Sequence, residues 1–353
     1  MLPEHEAWER AGRLPRSLFR DAGALGLLGF PVPVEYGGPG VDDFRYNAVL
    51  DTELNRSGAA SAAVGLSLQN DVVLPYLTLL ATPEQQRRWL PGVVTGDTVL
   101  AIAMTEPGTG SDLSAIGTRA TRDGEHYVVN GAKTFVSNAE RRPGDRRGAY
   151  RGRPAPGPVP ARRRAGHPGL RPRSQSGKDR AARVSWRSPT PGYQRPTCSA
   201  PRARASSPLV ANLPQERLAL ALGAVAAAEG VFAHTLDYVR DRKAFGQPIG
   251  SFQANRFALA ELATELDIAR TFVEDCLRQH LGHQLSPARA AMVKWWTSEL
   301  LLRVADRCLQ LHGGYGYMRE YAVSRAFVDA RISTIYGGTT EIMKEIIGRD
   351  LGL

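Results

Sequence analysis

The spacing of apolar residues predicts long amphipathic helices in the last third of the chain. Apolar side chains recur every three or four positions over residues 218–239 and again over 259–276. A further apolar run at 300–311 predicts a third helix, which Gly313 and Gly314 would end as a C-cap, and residues 340–349 predict a fourth. Because long helices joined by short connections pack antiparallel, this pattern favours a helical bundle.

The first hundred residues also have a mainly helical pattern. Thr82 and Pro83 stand in the order of an N-cap and a first helical residue. Stretches rich in Gly and Pro at 37–40 and 91–92 predict breaks between helices.

A part rich in β-structure begins at about residue 101. Residues 127–129 and 134–136 are β-branched or aromatic, and Asn130 and Gly131 lie between them. This order predicts a strand, a tight turn and a second strand, with Phe135 and Ser137 on one face of that second strand.

Residues 141–207 have a composition unlike the rest of the chain. They contain 11 of the 24 prolines, with 17 Arg and one Lys against two Asp and no Glu. Large aliphatic side chains are confined to Val159, Leu170 and Val184, so the segment cannot bury a core and is expected to be disordered. Its positive charge exceeds the net +10 of the whole chain, so the remaining residues are net acidic.

Charge and composition exclude several classes of protein. The positive charge is confined to one segment whose aromatic residues are few, which argues against a nucleic-acid binder. Three cysteines in 353 residues cannot form a disulfide framework. No uninterrupted apolar stretch reaches the ~18 residues of a membrane span, and the first residues resemble neither a signal nor a transit peptide. We therefore expect a cytoplasmic protein of two or three domains, with no membrane span and no nucleic-acid partner.

Four short motifs contain residues suited to binding. Residues 104–112 combine Gly with Thr and Ser, so this loop can present N–H and O–H donors to a phosphate or a flavin edge. The second motif, residues 130–138, places an aromatic ring beside a hydroxyl. The third, residues 240–249 with Gln253, has several cations after a helix, which suit a pyrophosphate. The fourth, residues 335–343, places two glycines before a helix that could bind an anion or a carbonyl. Taken one at a time, each is also typical of a plain turn, a half-buried strand or a solvated helix end.

In this order and spacing, the four motifs resemble the acyl-CoA dehydrogenase family over about residues 5–140 and 209–353. The C-terminal third is most similar to the long-chain branch. Further matching stretches are residues 26–38, 213–217, 242–246, 310–317 and 336–339. The resemblance implies an α+β, mainly α, fold. Its parts would be an N-terminal helical domain at 1–100, a middle β-barrel-like domain at 101–210, incomplete here, and a C-terminal four-helix bundle at 211–353.

The resemblance also implies FAD as cofactor, acyl-CoA as substrate, an electron-transferring flavoprotein as electron acceptor and a homotetramer as assembly. The family's flavin contacts match Ile102, Met104, Thr105, Gly110, Ser111, Phe135, Val136 and Ser137. Its dinucleotide contacts across a subunit boundary match Arg242, Phe245, Gln253, Gln310, Gly313, Gly314, Thr339 and Glu341. Its substrate contacts match Ser111, Gln215, Arg217, Tyr336 and Gly337.

The family reaction needs a carboxylate beside the α-carbon of a thioester, because that proton is weakly acidic. Many members carry this Glu where Gly337 stands here, which would suggest an inactive homologue. A minority branch takes the carboxylate from the start of the first bundle helix, where Glu216 stands. Glu216 is therefore the predicted base, as an acid in the first turn of that helix, and the N–H of Gly337 is a candidate donor to the substrate carbonyl. The alternative role of Glu216 is that of a helix-start acid stabilised by the dipole.

Two other groups of residues contain side chains that could act as a base or as metal ligands. Glu229 interrupts the apolar stripe of the same helix, but it lies ~20 Å from Glu216 along the axis and is expected to be paired in the core or at an interface. Cys276, His280 and His283 share a helical face, yet no fourth ligand is indicated, so we expect no metal site.

Within residues 141–207 the resemblance stops and then resumes with the chain length nearly preserved. A compensated pair of frameshifts would produce this result, whereas a real basic insertion would add length rather than replace strands. In the insertion interpretation the basic, disordered segment would bind an acidic partner. The function also has two alternatives. The chain is either an FAD-dependent acyl-CoA dehydrogenase, or a non-catalytic remnant that binds flavin or acyl-CoA and is disabled by the loss of its middle strands.

The frameshift interpretation predicts that another reading frame of the gene encodes the missing strands. Translation of the nucleotide sequence over residues 141–207 in the other two frames should restore alternating apolar and polar residues in one of them. If neither frame restores this alternation, the segment is a real insertion and the interpretation is wrong.

Overall fold

The first part of the protein is helical, as predicted. The structure is a computed structural model, and it describes residues 2–123, 126–138, 182–189 and 207–353. The N-terminal helices are α1 (Leu2–Ala11), α2 (Arg16–Ala24), α3 (Arg45–Arg56), α4 (Ala60–Ser67), α5 (Leu74–Leu80) and α6 (Pro83–Val94).

Helix α6 begins as predicted and ends later than predicted. The Thr82 side chain accepts a hydrogen bond from the Gln85 N–H, and the Gln85 side chain accepts one from the Thr82 N–H, which completes a capping box. Pro91 lies inside the helix rather than at a break after it. The predicted break at residues 91–92 is therefore wrong, and the chain leaves the helix after Val94.

A π-helical turn, Leu68–Val73, connects α4 to α5. Its buried polar side chains bind the neighbouring loops. Asn70 donates to the Leu27 carbonyl at 2.9 Å and accepts from the Gly29 N–H at 3.1 Å, and the Gln69 side chain accepts from the Leu100 N–H at 2.9 Å. Because π-turns interrupt regular helix geometry and are frequent at functional sites, this turn indicates a functional site nearby.

The middle segment contains one antiparallel sheet in the described residues. Strands β1 (Arg119–Asp123), β2 (His126–Lys133) and β3 (Ala182–Pro189) pair in that order. Two sequence predictions are wrong here. Residues 130–131 lie within the continuous strand β2, because chain reversal occurs earlier, between Asp123 and His126. Residues 134–138 are not a strand, since Phe135 and Asn138 have φ of 55° and 62°.

The expectation that residues 141–207 are disordered is contradicted at residues 182–189 and stays a prediction elsewhere in the segment. Residues 182–189 form β3, whose backbone pairs with β2 from His126–Pro189 to Lys133–Ala182, and Ser207 begins the next helix. Backbone pairing can occur with almost any side chains, which is why composition missed this strand. Residues 139–181 and 190–206, and with them most of the predicted anomaly, lie outside the described residues.

The C-terminal part is a helical bundle, as predicted. Its elements are α7 (Ser207–Asp241), the short hairpin of β4 (Lys243–Ala244) and β5 (Gln247–Pro248), α8 (Gln253–Leu281), α9 (Pro287–His312), α10 (Ala322–Ser333) and α11 (Thr340–Asp350). Helix α9 packs against α7, α8, α10 and α11. The predicted fourth helix is α11. Helix α10 was not predicted, although Val323, Phe327 and Ala330 follow helical spacing and pack in or against the bundle core.

The bundle core also receives the N-terminal part of the chain. Leu218, Leu222, Leu266, Leu300 and Val304 are buried in one cluster, and Ala48 of α3 belongs to it. Each fully buried leucine contributes about 1.5–3 kcal/mol. Helix α3 packs along α7 and so connects the N-terminal helices, which have buried clusters of their own, to the bundle core.

Two helical stretches, Ala60–Leu80 and Ala211–Asp241, are long and apolar enough to cross a membrane by length and composition. About half of each apolar window is buried inside the protein, 44% and 56% respectively. Core helices pass the same test, so these stretches are weak evidence for a membrane span, and its expected absence stays a prediction.

The close approach of α3 and α7 predicts the effect of a single methyl group. A Cβ on Gly230 of α7 would lie 2.3 Å from the Arg56 carbonyl oxygen, whereas a Cβ on Gly348 of α11 would meet nothing within 4 Å. Gly230→Ala should therefore destabilise the protein by about 1–3 kcal/mol, although alanine favours helices. Gly348→Ala should stabilise it by about 0.5–1 kcal/mol. Urea unfolding of both variants tests this, and a stabilised Gly230→Ala would contradict the packing.

Candidate active site

A cavity of about 1510 Å³ lies between the N-terminal helices, the middle segment and the bundle. Helix α7 runs along it, and the 102–111 loop and the 335–339 loop lie at its edges. Twelve of the residues predicted from the sequence line this cavity. They are Ile102, Met104, Thr105, Gly110, Ser111, Phe135, Ser137, Glu216, Arg217, Tyr336, Gly337 and Thr339.

The loop that carries Thr105 is fixed by one carboxylate. Glu106 accepts hydrogen bonds from the Thr118 hydroxyl and from the Gly117 and Thr118 N–H groups at 2.8 and 2.9 Å. It also forms an ion pair with Lys133 at 3.0 Å, and Lys133 donates to the Met104 carbonyl at 2.9 Å. These partners, the Thr118 hydroxyl first, hold the pKa of Glu106 at about 2, so the carboxylate stays charged.

The same contacts bring the two predicted flavin segments together. The Thr134 N–H donates to the Thr105 carbonyl at 3.0 Å. Phe135 follows in the left-handed region, and 66% of its ring surface is exposed at the cavity. An exposed aromatic ring beside the hydroxyls of Thr105 and Ser137 fits a flat, hydrogen-bonding cofactor. Val136 does not line the cavity.

Glu216 projects from α7 into the cavity wall, with 7% of its surface exposed. Its Oε1 accepts hydrogen bonds from the Tyr76 hydroxyl at 2.7 Å and from the Asn212 amide at 3.1 Å. Burial raises the pKa of Glu216 above its ordinary value, while these two donors and the charge of Arg217 act in the opposite direction. The predicted place of Glu216 in the first helical turn is wrong, because α7 begins at Ser207.

The loop opposite Glu216 is built from two glycines with positive φ, Gly337 at 65° and Gly338 at 105°. A Cβ on Gly337 would lie 2.4 Å from Cδ1 of Leu220, so no side chain fits there without movement. Two buried cations bind the carbonyls of this loop. Arg217 Nε donates to Gly337 O at 3.4 Å, and Lys294 Nζ donates to Gly338 O at 2.7 Å.

A second group of predicted residues lies outside the cavity. Arg242, Gln253, Gln310, Gly313, Gly314 and Glu341 are exposed, and Phe245 is 96% exposed. Arg242 lies over the Tyr315 ring at 5.5 Å, beside the β4–β5 hairpin. Gln215 does not line the cavity either, since its amide donates to the Asp71 carbonyl at 3.0 Å.

Glu229, the rival carboxylate, is paired as predicted. It binds Arg56 of α3 at 2.9 Å and Arg270 of α8 at 2.7 Å. His280 packs edge-on against the Phe44 ring at 4.7 Å. Among the described residues, no three His, Cys, Asp or Glu side chains are placed to hold a metal ion.

Sequence reasoning missed Tyr76, Asn212 and Lys294. Asn212 stands four residues before Glu216, one helical turn away, but the late predicted start of α7 hid this spacing. Tyr76 and Lys294 are brought to the site by tertiary packing alone, and no local pattern marks them.

Comparison with protein families matches three successive models to the chain. The acyl-CoA dehydrogenase N-terminal domain matches residues 1–97, the middle domain matches 101–142 and the C-terminal domain matches 209–352. The matched residues thus stop and resume at the borders of the anomalous segment.

Curated and solved relatives agree with these models. The chain is 38% identical over 361 residues to the long-chain specific acyl-CoA dehydrogenase, mitochondrial, of Rattus norvegicus, covering 99% of this chain and 83% of the relative. The corresponding protein of Sus scrofa is 37% identical with the same coverage. The crystal structure of acyl-CoA dehydrogenase from Geobacillus kaustophilus superposes with a TM-score of 0.84 at 37% identity, over 99% of this chain and 93% of that one.

Burial of Lys294 predicts a specific dependence of stability on pH. Desolvation lowers its pKa from 10.5 to about 8, so the folded state disfavours the charged form. Between pH 8 and 10.5 the unfolded chain keeps this proton and the folded protein releases it, so the contribution of Lys294 to stability increases with pH. Between pH 7.5 and 10, the free energy of unfolding of the wild type should increase by up to about 3 kcal/mol relative to that of Lys294→Met.

Urea unfolding at several pH values measures this difference, with the exposed Lys344→Met variant as control. A difference between wild type and Lys294→Met that does not change with pH would show that Lys294 is not desolvated.

Proposed function

The chain belongs to the acyl-CoA dehydrogenase family, and we propose that Glu216 is the base with which it removes the α-proton of an acyl-CoA thioester. Members of this family are FAD-dependent oxidoreductases. The product of the proposed reaction is the 2-enoyl-CoA.

The observation that supports Glu216 most strongly is its place opposite Gly337. Leu220 lies one turn after Glu216 on the same face of α7, and Leu220 is the side chain that occupies the space beside Gly337. Arg217, the neighbour of Glu216, donates to the Gly337 carbonyl. Helix α7 therefore supplies the proposed base, at the place where the loop has Gly337 and no side chain that could act as one.

The environment of Glu216 suits a base that works near neutral pH. A carboxylate in water is too weak a base for a thioester α-proton, and partial burial raises its pKa toward the working range. The charge that develops on the thioester carbonyl needs a donor, and the N–H of Gly337 at the cavity wall is the candidate.

The donors that line the cavity and its volume suit FAD. Hydroxyls of Thr105, Ser111 and Ser137 and the exposed ring of Phe135 line one end, next to the side of α7 that bears Glu216. When bound there, FAD supplies the two-electron acceptor, through flavin N5, for the hydride that leaves the β-carbon. Closure of the cavity around flavin and acyl chain would exclude water from Glu216 and strengthen its basicity further.

The proposed electron acceptor is an electron-transferring flavoprotein, and the proposed assembly is a homotetramer. One solved relative is described as the electron transferring flavoprotein of Acidaminococcus fermentans, at 26% identity and a TM-score of 0.78. Exposed aromatic and apolar side chains around Arg242, namely Phe245, Tyr315, Tyr317 and Met318, suit burial against a second copy of the chain.

The proposed base predicts a separation of flavin binding from chemistry. The purified protein should be yellow, and acyl-CoA should bleach the flavin absorbance. Glu216→Gln keeps the shape and the hydrogen bonds of the side chain but cannot accept the proton, so the flavin should stay bound while bleaching falls by at least about 10³-fold.

Glu229→Gln is the matched control, because the same helix bears both residues and Glu229 is held by Arg56 and Arg270. It should lose stability but bleach at nearly the wild-type rate. Full bleaching in Glu216→Gln would show that the base is elsewhere. A colourless wild-type protein would instead favour the non-catalytic alternative.

A further inference from the structure

The two oxygens of Glu216 have different surroundings. The Tyr76 hydroxyl and the Asn212 amide both donate to Oε1, at 2.7 and 3.1 Å. Among the described residues, none donates to Oε2. A carboxylate bound in this way cannot rotate without breaking both hydrogen bonds, so Oε2 keeps one orientation in the wall of the cavity.

Both donors are positioned by the π-helical turn. Helix α5, which bears Tyr76, follows the turn directly. The Asn212 amide also lies 3.3 Å from the Val72 carbonyl, and Gln215 donates to the Asp71 carbonyl at 3.0 Å. These carbonyls belong to the π-turn and face α7, so the turn orients Asn212 and Tyr76 together.

The π-turn is itself held from its buried side. The Asp71 carboxyl accepts hydrogen bonds from Asn47 at 2.5 Å and from Ser67, and Asp51 lies next to it. Burial raises the pKa of both Asp71 and Asp51 above their ordinary values, because two neighbouring carboxyls removed from water disfavour carrying two negative charges. The Asp71 carboxyl therefore accepts hydrogen bonds from Asn47 and Ser67, while its backbone carbonyl accepts one from Gln215 of α7.

We propose that Tyr76 and Asn212 are positioning residues that hold Oε1 of Glu216 and leave Oε2 as the atom that accepts the α-proton. This inference rests on the proposed function, in which Glu216 is the base. In the step itself the Cα–H bond breaks and its proton bonds to Oε2. The electron pair left behind becomes the new C=C bond as hydride leaves the β-carbon for the two-electron acceptor, FAD.

The donors have a second effect, on the charge of Glu216. Burial raises the pKa of Glu216, and among the causes that lower it the Tyr76 hydroxyl is the largest, followed by Asn212. Among the described residues, the charged group that acts on this carboxyl is Arg217 on its own helix. Lys294 from α9 is bound to Gly338, and its charged neighbours are Arg217, Glu299 and Glu341 rather than Glu216. Without the two donors, burial would keep Glu216 protonated at higher pH, and a protonated carboxyl is not a base.

The pH dependence of kcat/KM tests the proposal. Tyr76→Phe and Asn212→Leu each remove one donor with little change in volume. A hydrogen bond to a charged group contributes about 1.5–3 kcal/mol, so each variant should move the acid limb of the profile up by about 1–2 pH units. At high pH kcat/KM should return to within a few-fold of wild type. Tyr46→Phe on α3 is the control, because Tyr46 is exposed and its ring packs on Phe30.

A second measurement isolates proton abstraction from hydride transfer. An acyl-CoA analogue with sulfur in place of the β-carbon can lose its α-proton but has no β-hydride to give. Exchange of its α-hydrogen with solvent deuterium, followed by mass spectrometry, should show the same upward shift of the acid limb in Tyr76→Phe and Asn212→Leu. Flavin content by absorbance should be unchanged.

The outcomes separate this proposal from the one it rests on. If Glu216→Gln is inactive while both donor variants keep the wild-type pH profile, Glu216 remains the proposed base and the positioning role of Tyr76 and Asn212 is overturned. An equal loss at every pH would also overturn it, since that would show only a structural role. If Glu216→Gln remains fully active, both proposals fail. If Tyr76→Phe does not fold, Asn212→Leu alone decides.

Discussion

Burying the Glu216 carboxylate is the constraint on which the rest of the site depends. A charged carboxyl removed from water loses several kcal/mol of solvation unless hydrogen bonds or opposite charges replace the water. Here the replacement is two neutral donors, Tyr76 and Asn212, rather than a direct ion pair. A close ion pair would hold the pKa far below neutrality and make the carboxylate a poor base. Neutral donors oppose the effect of burial on the pKa of Glu216 less strongly than an ion pair would, which suits the proposed role of base.

The same constraint explains why the loop opposite Glu216 has no side chain at Gly337. Gly337 leaves no room for a second carboxylate, and its positive φ and the nearby Leu220 side chain both oppose any replacement. Two like charges in one buried site would force one to be protonated, so a single base is the chemically consistent arrangement. The buried cations Arg217 and Lys294 bind backbone carbonyls of this loop instead of the base, which fixes the loop without neutralising Glu216.

How far the sequence could predict this site depends on the range of each interaction. Local patterns predicted the helices of the bundle and the cap at Thr82, because periodicity and capping act within a few residues. The ordered motifs placed Glu216 and the 102–111 loop in one site. Tyr76 is 140 residues from Glu216 in sequence, and only packing brings the two together. The π-turn was equally hidden, since no composition distinguishes it from the α-helices on either side.

The described contacts also show what holds the loops that carry the predicted flavin contacts. Glu106 and Lys133 bind the 102–106 loop to the end of β2 through contacts within the middle segment. Asn138, at the far end of the Phe135 turn, donates to the Gly65 carbonyl of α4 at 3.0 Å and to the Leu100 carbonyl at 3.3 Å. The predicted flavin contacts are thus anchored on both sides by residues before position 139. Among the described strand pairings, only that of β2 with β3 connects the segment of these contacts to residues 182–189, and it is a pairing of the two backbones. Among the described residues, the N-terminal helices and the Glu106–Lys133 ion pair therefore hold the donors that are proposed to face the cofactor.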